Sequence, residues 1–213
     1  MLPLFVFYDD FQANPALSPH PHKVGATYIS VPCIPPPCQS VIKHIFLSVL
    51  FETDARAEFG NQKTFAPLVK DLSILEKKGI LVNTGTRLVR VYFLLGLLTG
   101  DNLGLHCLCG VVEGFSANFP CRFCKADKKN VRVMITEDET VLRTQKSFEE
   151  DLAVGNVTLT GVKEYCVFNS IPSFEVSEKI FVDPMHDLLE GIAHYDMLVI
   201  LRHFVNDVKF YSW

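Results

Sequence analysis

The sequence lacks the signals of a secreted or membrane-bound protein. Its first ten residues, MLPLFVFYDD, contain no basic segment and no small-residue cleavage site, so no secretory signal is predicted. No apolar run reaches the roughly 18 residues that a membrane-spanning helix requires. The seven cysteines are odd in number and unevenly spaced. These absences argue against a disulfide framework and a membrane partner, and they predict an intracellular protein, nuclear or cytoplasmic and not secreted.

The chain also lacks a surplus of positive charge. Twenty Lys and Arg residues against 24 Asp and Glu residues give a formal net charge of −4 over 213 residues. Proteins that attract nucleic acid with their whole surface are basic, so any contact with DNA must come from a local patch or from a partner. The hydrophobic content of 48%, by contrast, predicts a sizeable core rather than disorder.

Short apolar runs and one strong helix signal fill most of the sequence. Three β-rich runs come first, LFVFYDD, VGATYISVPCI and IKHIFLSVLFE, with a helix as the alternative for the third. A helix is predicted from Thr64, with leucines at helical spacing and Gly79 just after its end. VYFLLGLL then predicts a buried strand before Asp101, and a helix follows. Three strands, a helix and a fourth strand is the order of a ribonuclease-H-like sheet, in which the first and fourth strands are neighbours.

Three parts are predicted along the chain. Residues 1–110 form the ribonuclease-H-like core, 111–180 a polar insertion that bears the CxxC motif, and 181–213 a closing helix. The chain opens directly on a strand and stops inside an apolar segment, so the expected fold is an incomplete α/β mixed sheet with flanking helices. A Pro-rich loop after the first strand contains His20 and His22, which are interpreted as ordinary loop residues.

Carboxylates end two of the predicted strands. Asp9 and Asp10 close the first apolar run, and Asp101 follows the fourth strand. If those strands are neighbours, their acids can hold two Mg²⁺ ions about 4 Å apart for phosphodiester cleavage. The alternative is that each acid only marks the turn back to solvent. The pair is suggestive because an acid that ends a long apolar run is costly to bury without a partner.

The stretch PCRFCK carries a CxxC pair, Cys121 and Cys124. Two thiolates at this spacing can bind one Zn²⁺ ion at about 2.3 Å from each sulfur. A redox role would require a thioredoxin-like position after an early strand, whereas this pair lies mid-chain beside lysines. A CxxC pair is half of a zinc site, so the other ligands must be distant in sequence. The cysteines without a partner at metal spacing are interpreted mostly as buried free thiols: Cys33, Cys38, Cys107 and Cys109.

The stretch VDPMHDLLEGIAHYD supplies candidate partners for the thiols. Asp183 before a proline is typical of a helix start, and His186, Glu190 and His194 fall on one stripe of an α-helix. His186 is the stronger zinc candidate because it lies in the first turns. Three residues compete for the fourth position: Cys166, Asp183 and His194.

Two other interpretations of this stretch stay open. The histidines can belong to an ordinary half-exposed helix face. Alternatively, His186, Glu190 and His194 can form the site of an unrelated zinc hydrolase, although such enzymes show the tighter HExxH spacing.

Four stretches, in this order, resemble cut-and-paste DNA transposases of the DDE class, specifically the CACTA/EnSpm-like group. They are FYDDFQANP, TGDNLGLHCLCG, FPCRFCK and VDPMHDLLEGI. No single motif is specific, but their order and spacing are more so, with 20 positions from Asp101 to Cys121. The resemblance implies a ribonuclease-H-like core that cuts and joins DNA with catalytic Mg²⁺ or Mn²⁺ and contains a structural Zn²⁺ ion.

The resemblance also implies roles for particular residues. Asp9 corresponds to the first acid, with Asp10 as a neighbour that could replace it, and Asp101 corresponds to the second, so that Asp9 and Asp101 bind magnesium. The zinc ligands are Cys121, Cys124 and His186, with His194 as a further candidate. The third acid is a Glu on a later helix, for which Glu190 is a weak candidate.

Two departures from the family pattern change the expectation for this chain. The family's N-terminal DNA-binding region has no counterpart, and no clear third acid is present. The expected protein is therefore a transposon-derived fragment that is catalytically inactive by itself, contacts DNA weakly and can form a homo-oligomer. The alternative is a non-enzymatic, zinc-stabilised remnant that serves as a binding module.

Overall fold

The computed structural model describes residues 1–13 and 23–209, so His20, His22 and most of the predicted Pro-rich loop lie outside the described residues. Two compact units divide the chain, Met1–Phe181 and Val182–Trp213. The strands are β1 (Leu2–Gln12), β2 (Lys23–Ser30), β3 (Ile45–Glu52), β4 (Ile80–Asn83), β5 (Leu88–Val91) and β6 (Phe93–Gly100). The α-helices are α1 (Pro36–Gln39), α2 (Thr53–Lys77), α3 (Asn102–Cys109), α4 (Lys128–Val131), α5 (Gln145–Val154), α6 (Val157–Thr160) and α7 (Ala193–Arg202). Shorter 3₁₀ turns span Ile42–His44, Glu139–Val141 and Val167–Ser170, and π-helical segments span Pro184–Ile192 and His203–Asp207.

Four strands of the first unit form one mixed sheet in the order β3-β2-β1-β6. The pairs β1–β2 and β2–β3 are antiparallel, whereas β1 and β6 are parallel. A parallel pair requires a long crossover connection, and here the chain returns through α2 and the separate hairpin β4–β5. The predictions of three leading strands and of a fourth strand beside the first are confirmed. The α/β class with a mixed sheet and flanking helices is confirmed as well.

Helix α2 covers one face of this sheet. Its buried side chains Phe65, Leu68 and Leu72 recur at helical spacing, as predicted. The Phe65 ring packs edge-on against Tyr8 of β1 and Phe51 of β3, with centroids 6.2 and 5.5 Å away. Burial of one such phenylalanine contributes about 2–3 kcal/mol, so this cluster holds the helix to the central strands.

The predicted start of α2 was wrong, whereas its end is confirmed. The helix begins at Thr53, and its backbone is interrupted at Gly60, where φ is 77°. Glycine has no Cβ and adopts that conformation at little cost. Thr64 does not cap the helix and instead donates through Oγ1 to the carbonyl of Gly60 at 3.0 Å. The residues before Gly60 lack the apolar periodicity that would have revealed them as helical.

Helix α3 packs directly against β1. Its residues Leu105 and Leu108 are fully buried, and the close approach occurs at Gly104. A Cβ atom at Gly104 would lie 2.8 Å from the Tyr8 ring and 2.9 Å from Asp101 Oδ1. Contacts that short force neighbouring atoms to move, so a glycine here lets the first turn of α3 approach the carboxyl end of β1.

The segment after residue 110 adds to the same hydrophobic core. Its side chains fill space beside α2, and the Phe168 ring lies 5.7 Å from that of Phe65. Deeply buried side chains of this segment include Val111, Val162, Val167, Phe168, Ile171 and Val176. The stretch SFEEDLA of this segment lies in helix α5. The predicted insertion 111–180 therefore belongs to the same compact unit as 1–110, while the closing segment starts where the second unit begins.

The second unit is helical from Pro184 to Asp207. The predicted start is confirmed, because Asp183 Oδ1 accepts a hydrogen bond from the Met185 backbone N–H at 2.9 Å. The predicted α-helical stripe was wrong. The first segment is π-helical, with a wider turn than an α-helix, and the backbone of Gly191 departs from helical geometry at φ −90° and ψ −108°. His194 follows that break, so the spacing from which the stripe was predicted does not hold.

Candidate metal sites

The carboxyl end of β1 carries the first candidate site. In the parallel register Tyr8 lies opposite Gly100. Asp9 and Asp10 are the next residues on one strand, and Asp101 is the next residue on the other. This register places the three acids at the same edge of one sheet. Carboxylates so placed are the ligand type that Mg²⁺ prefers.

Asp9 and Asp10 belong to opposite faces of the sheet, because successive side chains of a strand alternate. Asp10 shares the face of Tyr8, which is only 2% exposed beneath α2 and α3. Asp9 shares the face of Phe7, which is 37% exposed. Asp10 is thus on the side of the sheet that carries α3, the helix that begins immediately after Asp101.

A cavity of about 240 Å³ adjoins Asp10 on this face. Lys23 Nζ lies 3.8 Å from Asp10 Oδ2, and Arg56 Nη2 lies 3.4 Å from Glu113 Oε2. Partial burial opposes ionisation of Glu113, but the hydrogen bond from Lys163 and the charge of Arg56 lower the pKa of that carboxyl. Glu113 is therefore held by two cations, whereas Asp10 faces one exposed lysine at a longer distance. Asp10 is the better metal ligand of the two.

Asp101 acts as the N-cap of α3. Its Oδ1 atom accepts a hydrogen bond from the backbone N–H of Gly104 at 2.6 Å, as capping acids do. Among residues 1–13 and 23–209, no hydrogen bond or ion pair involves its Oδ2 atom. Capping fixes the side chain at the sheet edge and leaves this second oxygen available to a cation.

The CxxC pair forms the second candidate site. Cys121 Sγ accepts hydrogen bonds from the backbone N–H groups of Phe123 and Cys124, each at 3.3 Å. These bonds wrap the chain around the sulfur. Burial raises the pKa of Cys124, so a bound cation would have to displace its proton. The geometry fits two of the four ligands of a structural Zn²⁺ ion.

Two buried arginines fix the position of this thiol pair. Arg122 donates through Nη1 to Asn102 Oδ1 at 2.6 Å and through Nη2 to the Phe181 carbonyl at 3.1 Å. Arg143 donates to the Cys121 carbonyl at 3.2 Å and forms an ion pair with Asp151 at 2.8 Å. Since Asn102 directly follows Asp101, the CxxC segment is tied to the chain beside the second acid.

In the second unit, Asp183 orients His186. The His186 Nδ1 atom lies 2.5 Å from Asp183 Oδ2. A carboxylate bound to one ring nitrogen is the usual support for a histidine that binds zinc through the other, Nε2. Desolvation opposes it, but the bonds from His186 and Met185 lower the pKa of Asp183. Both Asp183 oxygens thus serve their own helical turn, which favours a positioning role over that of fourth zinc ligand. Glu190 and His194 are exposed.

The remaining cysteines divide into two groups. Cys107 and Cys109 are buried, as expected for free thiols, whereas Cys33 is exposed and Cys38 half-buried. Cys166, a candidate for the fourth zinc position, is also buried. Burial raises the pKa of Cys107 and of Cys166 to about 12, so these thiols stay protonated. Among the residues that the structure describes, no three His, Cys, Asp or Glu side chains come together as a ready metal site. The zinc and magnesium sites therefore stay predictions, each supported by a pair of ligands.

His106 provides a test of the packing beneath these sites. The ring is 2% exposed, and its Nδ1 atom lies 2.8 Å from the Val112 carbonyl, so a neutral Nδ1–H donates there. Burial lowers the pKa of His106. The histidine therefore binds a proton near pH 6.5 in the unfolded chain but not in the folded chain. The free energy of unfolding should fall as the pH drops below that value, by at most about 1.4 kcal/mol per pH unit.

Urea unfolding between pH 7.5 and 5 measures this effect. In His106→Gln the free energy of unfolding should fall less steeply as the pH drops, because about one proton fewer is taken up on unfolding. His44→Gln is the matched control, because His44 also bonds a backbone carbonyl, that of Cys38 at 2.8 Å, but is less buried. An identical pH slope in all three proteins would contradict the assignment of His106 as a buried neutral base.

Several residues of these sites were not found by sequence reasoning. Lys23, Arg56 and Glu113 meet at the cavity beside Asp10 although 90 positions separate the first from the last. No local motif marks them, and only the fold brings them together. Arg122 could have been noticed, since an arginine inside a CxxC pair beside otherwise exposed lysines is an unusual place for a buried charge.

Comparisons with known proteins add no assignment. Neither a protein-family model nor a curated protein matches the chain. In the part of the chain that the structure describes, every helix is too short or too polar to cross a membrane.

Proposed function

We propose that this chain is the ribonuclease-H-like catalytic core of a DDE-class DNA transposase of the CACTA/EnSpm-like group, derived from a transposable element. The observation that carries the proposal is the parallel pairing of β1 with β6, which sets Asp101 beside Asp9 and Asp10. The sheet order β3-β2-β1-β6, with α2 in the crossover, is compatible with that fold. Fold alone does not determine function, so the acids and the CxxC segment must carry the argument.

The faces of the sheet favour Asp10 over Asp9 as the first acid. Asp10 and α3 lie on one face, and Asp101 is fixed at the start of α3 by its bond to Gly104. Two divalent cations, when bound, would stabilise both the attacking and the leaving oxygen of a phosphodiester. The contribution of the chain is to hold the two carboxylates at fixed positions. Lys23 must leave Asp10 when a cation binds. Because the two side chains are 3.8 Å apart and exposed to solvent, the loss of this ion pair costs little free energy.

The zinc prediction fits the same picture. It is supported by the backbone N–H groups of Phe123 and Cys124, which donate to Cys121 Sγ, and by the Asp183 carboxylate beside His186 Nδ1. The role of such an ion is structural, since Arg122 ties the CxxC segment to Asn102 beside the second acid. Zinc would therefore stiffen the surroundings of Asp101.

The third acid of the family pattern has two candidates, Glu190 and Glu113. Glu190 is exposed in the second unit, and Glu113 is held by Arg56 and Lys163. Because the described residues bring no third carboxylate to Asp10 and Asp101, we expect the chain by itself to bind the catalytic metal but to cleave DNA slowly or not at all.

Metal titration of Asp101→Asn tests the proposal. Asparagine is as good an N-cap as aspartate, so the fold should survive while the charge is lost. Mn²⁺ binding, followed by electron paramagnetic resonance, should weaken by about 100-fold or more, and any Mn²⁺-dependent nicking of supercoiled plasmid should disappear with it. Asp71→Asn, on the exposed face of α2, is the control. Unchanged Mn²⁺ binding in Asp101→Asn would overturn the metal site.

A non-enzymatic, zinc-stabilised binding module is the second candidate. It is favoured by the intact CxxC geometry together with the missing third acid. One equivalent of tightly bound zinc, with no Mn²⁺ bound at the acids, would support it. Zinc-dependent hydrolysis lost in Glu190→Gln but retained in Asp101→Asn would instead support an unrelated zinc hydrolase.

A further inference from the structure

Basic side chains are concentrated in one short segment of this acidic chain. Residues 121–132, CRFCKADKKNVR, contain five basic residues and one acid, against a formal charge of −4 for the whole protein. A local excess of this kind is the form that a nucleic-acid contact must take in a protein without bulk positive charge. The structure shows which of these charged side chains are bonded within the fold and which are open to solvent.

The fold uses two of these six charges internally. Arg122 is 5% exposed and donates to Asn102 and to the Phe181 carbonyl. Asp127 is the N-cap of α4, and its Oδ1 atom accepts the backbone N–H groups of Lys129 and Asn130 at 2.9 Å each. The single acid of the segment therefore bonds to the backbone. The remaining cations are Lys125, Lys128, Lys129 and Arg132.

Three of these cations line one groove. The groove encloses about 490 Å³ between the loop before the CxxC pair and helix α4. Its walls are Asn118, Phe119, Asp127, Lys128, Lys129 and Arg132. Lys129 and Arg132 are exposed, and within the described ranges none of the three groove cations forms an ion pair with a carboxylate.

Backbone and side-chain hydrogen bonds hold the walls of the groove in place. The Lys128 N–H donates to the Asn118 carbonyl at 2.7 Å, and Lys128 Nζ donates to the Ser116 carbonyl at 3.2 Å. Asn118 Nδ2 reaches the Thr158 carbonyl at 3.4 Å. Both walls are thus tied to the body of the first unit, and a ligand would pay little to order them.

We propose that this basic groove binds the sugar-phosphate backbone of DNA. Lysine and arginine are the side chains that neutralise phosphates, and the Asn118 amide offers a neutral donor beside them. The choice of DNA among polyanions rests on the proposed function, whereas the surface itself does not depend on the acids of the sheet edge. The acids Glu137, Asp138 and Glu139 follow in sequence, and Asp138 lines the neighbouring depression with Lys125. They limit the DNA contact to the α4 side that Lys128, Lys129 and Arg132 face.

Anisotropy titration of a fluorescent 20-base-pair duplex tests the groove. The full chain is compared with Lys129→Ala/Arg132→Ala, which removes the two exposed cations of the groove, over 50–200 mM salt. The double variant should bind several-fold more weakly at low salt, and its slope of log K against log salt should be smaller by about 2, one for each lost phosphate contact. Lys77→Ala/Lys78→Ala, an exposed pair at the end of α2, loses the same charge and should leave the slope unchanged.

The outcomes separate this inference from the proposed function. Equal losses in both double variants would show only a charge effect and would overturn the groove, as would the absence of measurable binding by the unaltered chain. Equally tight binding of an inorganic polyphosphate of the same length would overturn the choice of DNA. Groove-dependent DNA binding that persists in Asp101→Asn would support the groove, and it would do so even if Mn²⁺ binding failed and the catalytic proposal fell.

Discussion

Asp10→Asn should weaken Mn²⁺ binding at the sheet edge by about 100-fold or more, whereas Asp9→Asn should leave it close to that of the unaltered protein. The reason is the alternation of side chains along β1. Asp10 lies on the face that carries α3 and lines the cavity beside Gly104, while Asp9 lies on the opposite face. We therefore expect a cation bound to Asp101 at the start of α3 to be shared with Asp10 rather than with Asp9.

The measurement is a Mn²⁺ titration of the two variants in parallel, with thermal unfolding of each as a check on the fold. Lys23→Gln is a useful companion, because removal of the ammonium 3.8 Å from Asp10 should tighten Mn²⁺ binding rather than weaken it. A larger loss in Asp9→Asn than in Asp10→Asn would reverse the assignment. In that case Asp9, the residue that corresponds to the first acid of the family motif, would be the metal ligand.

Replacement of either thiol of the CxxC pair should abolish zinc binding. Structural zinc sites contribute on the order of 10 kcal/mol or more to the folded state, so Cys121→Ser and Cys124→Ser should each lose the ion and unfold at a markedly lower temperature. The loss should spread toward Asn102, because Arg122 joins the CxxC segment to that residue. Cys33→Ser, at an exposed cysteine outside the predicted site, should change neither property.

Cobalt substitution gives the readout and also identifies the histidine. Co²⁺ bound to thiolates absorbs in the near ultraviolet, and this band should disappear in Cys121→Ser. His186→Ala should change the visible ligand-field bands, whereas His194→Ala should not, since His186 Nδ1 lies against the Asp183 carboxylate and the described residues place no such carboxylate on His194. A chain that binds no zinc or cobalt with all cysteines reduced would end the zinc prediction.

Much of the first unit could be predicted because its elements are encoded locally. The apolar runs of β1, β2, β3 and β6 stand out by composition, and Phe65, Leu68 and Leu72 recur at the helical period. The N-cap at Asp183 and the glycine after α2 are likewise short-range signals. Each is determined by the conformational preferences of a few neighbouring residues, which the sequence displays directly.

The errors fall where backbone geometry depends on distant packing. The extension of α2 to Thr53 crosses a break at Gly60, and the closing segment is interrupted at Gly191. Neither break changes the local composition, so a periodicity argument passes over both. The burial of residues 162–176 also went unnoticed, because their apolar side chains are scattered among polar ones and do not form a run.

The sequence by itself determined that acids end the first and fourth strands, that two thiols sit at metal spacing, and that positive charge gathers around them. Only the tertiary structure decided which acid lies on the side of the sheet that carries α3 and which cations are exposed rather than bonded within the fold. Those questions concern the side of a strand and the partners of a charge. Both are set when α3 packs on β1 through Gly104 and when Arg122 reaches Asn102, contacts between segments that carry no information about each other until the chain is folded.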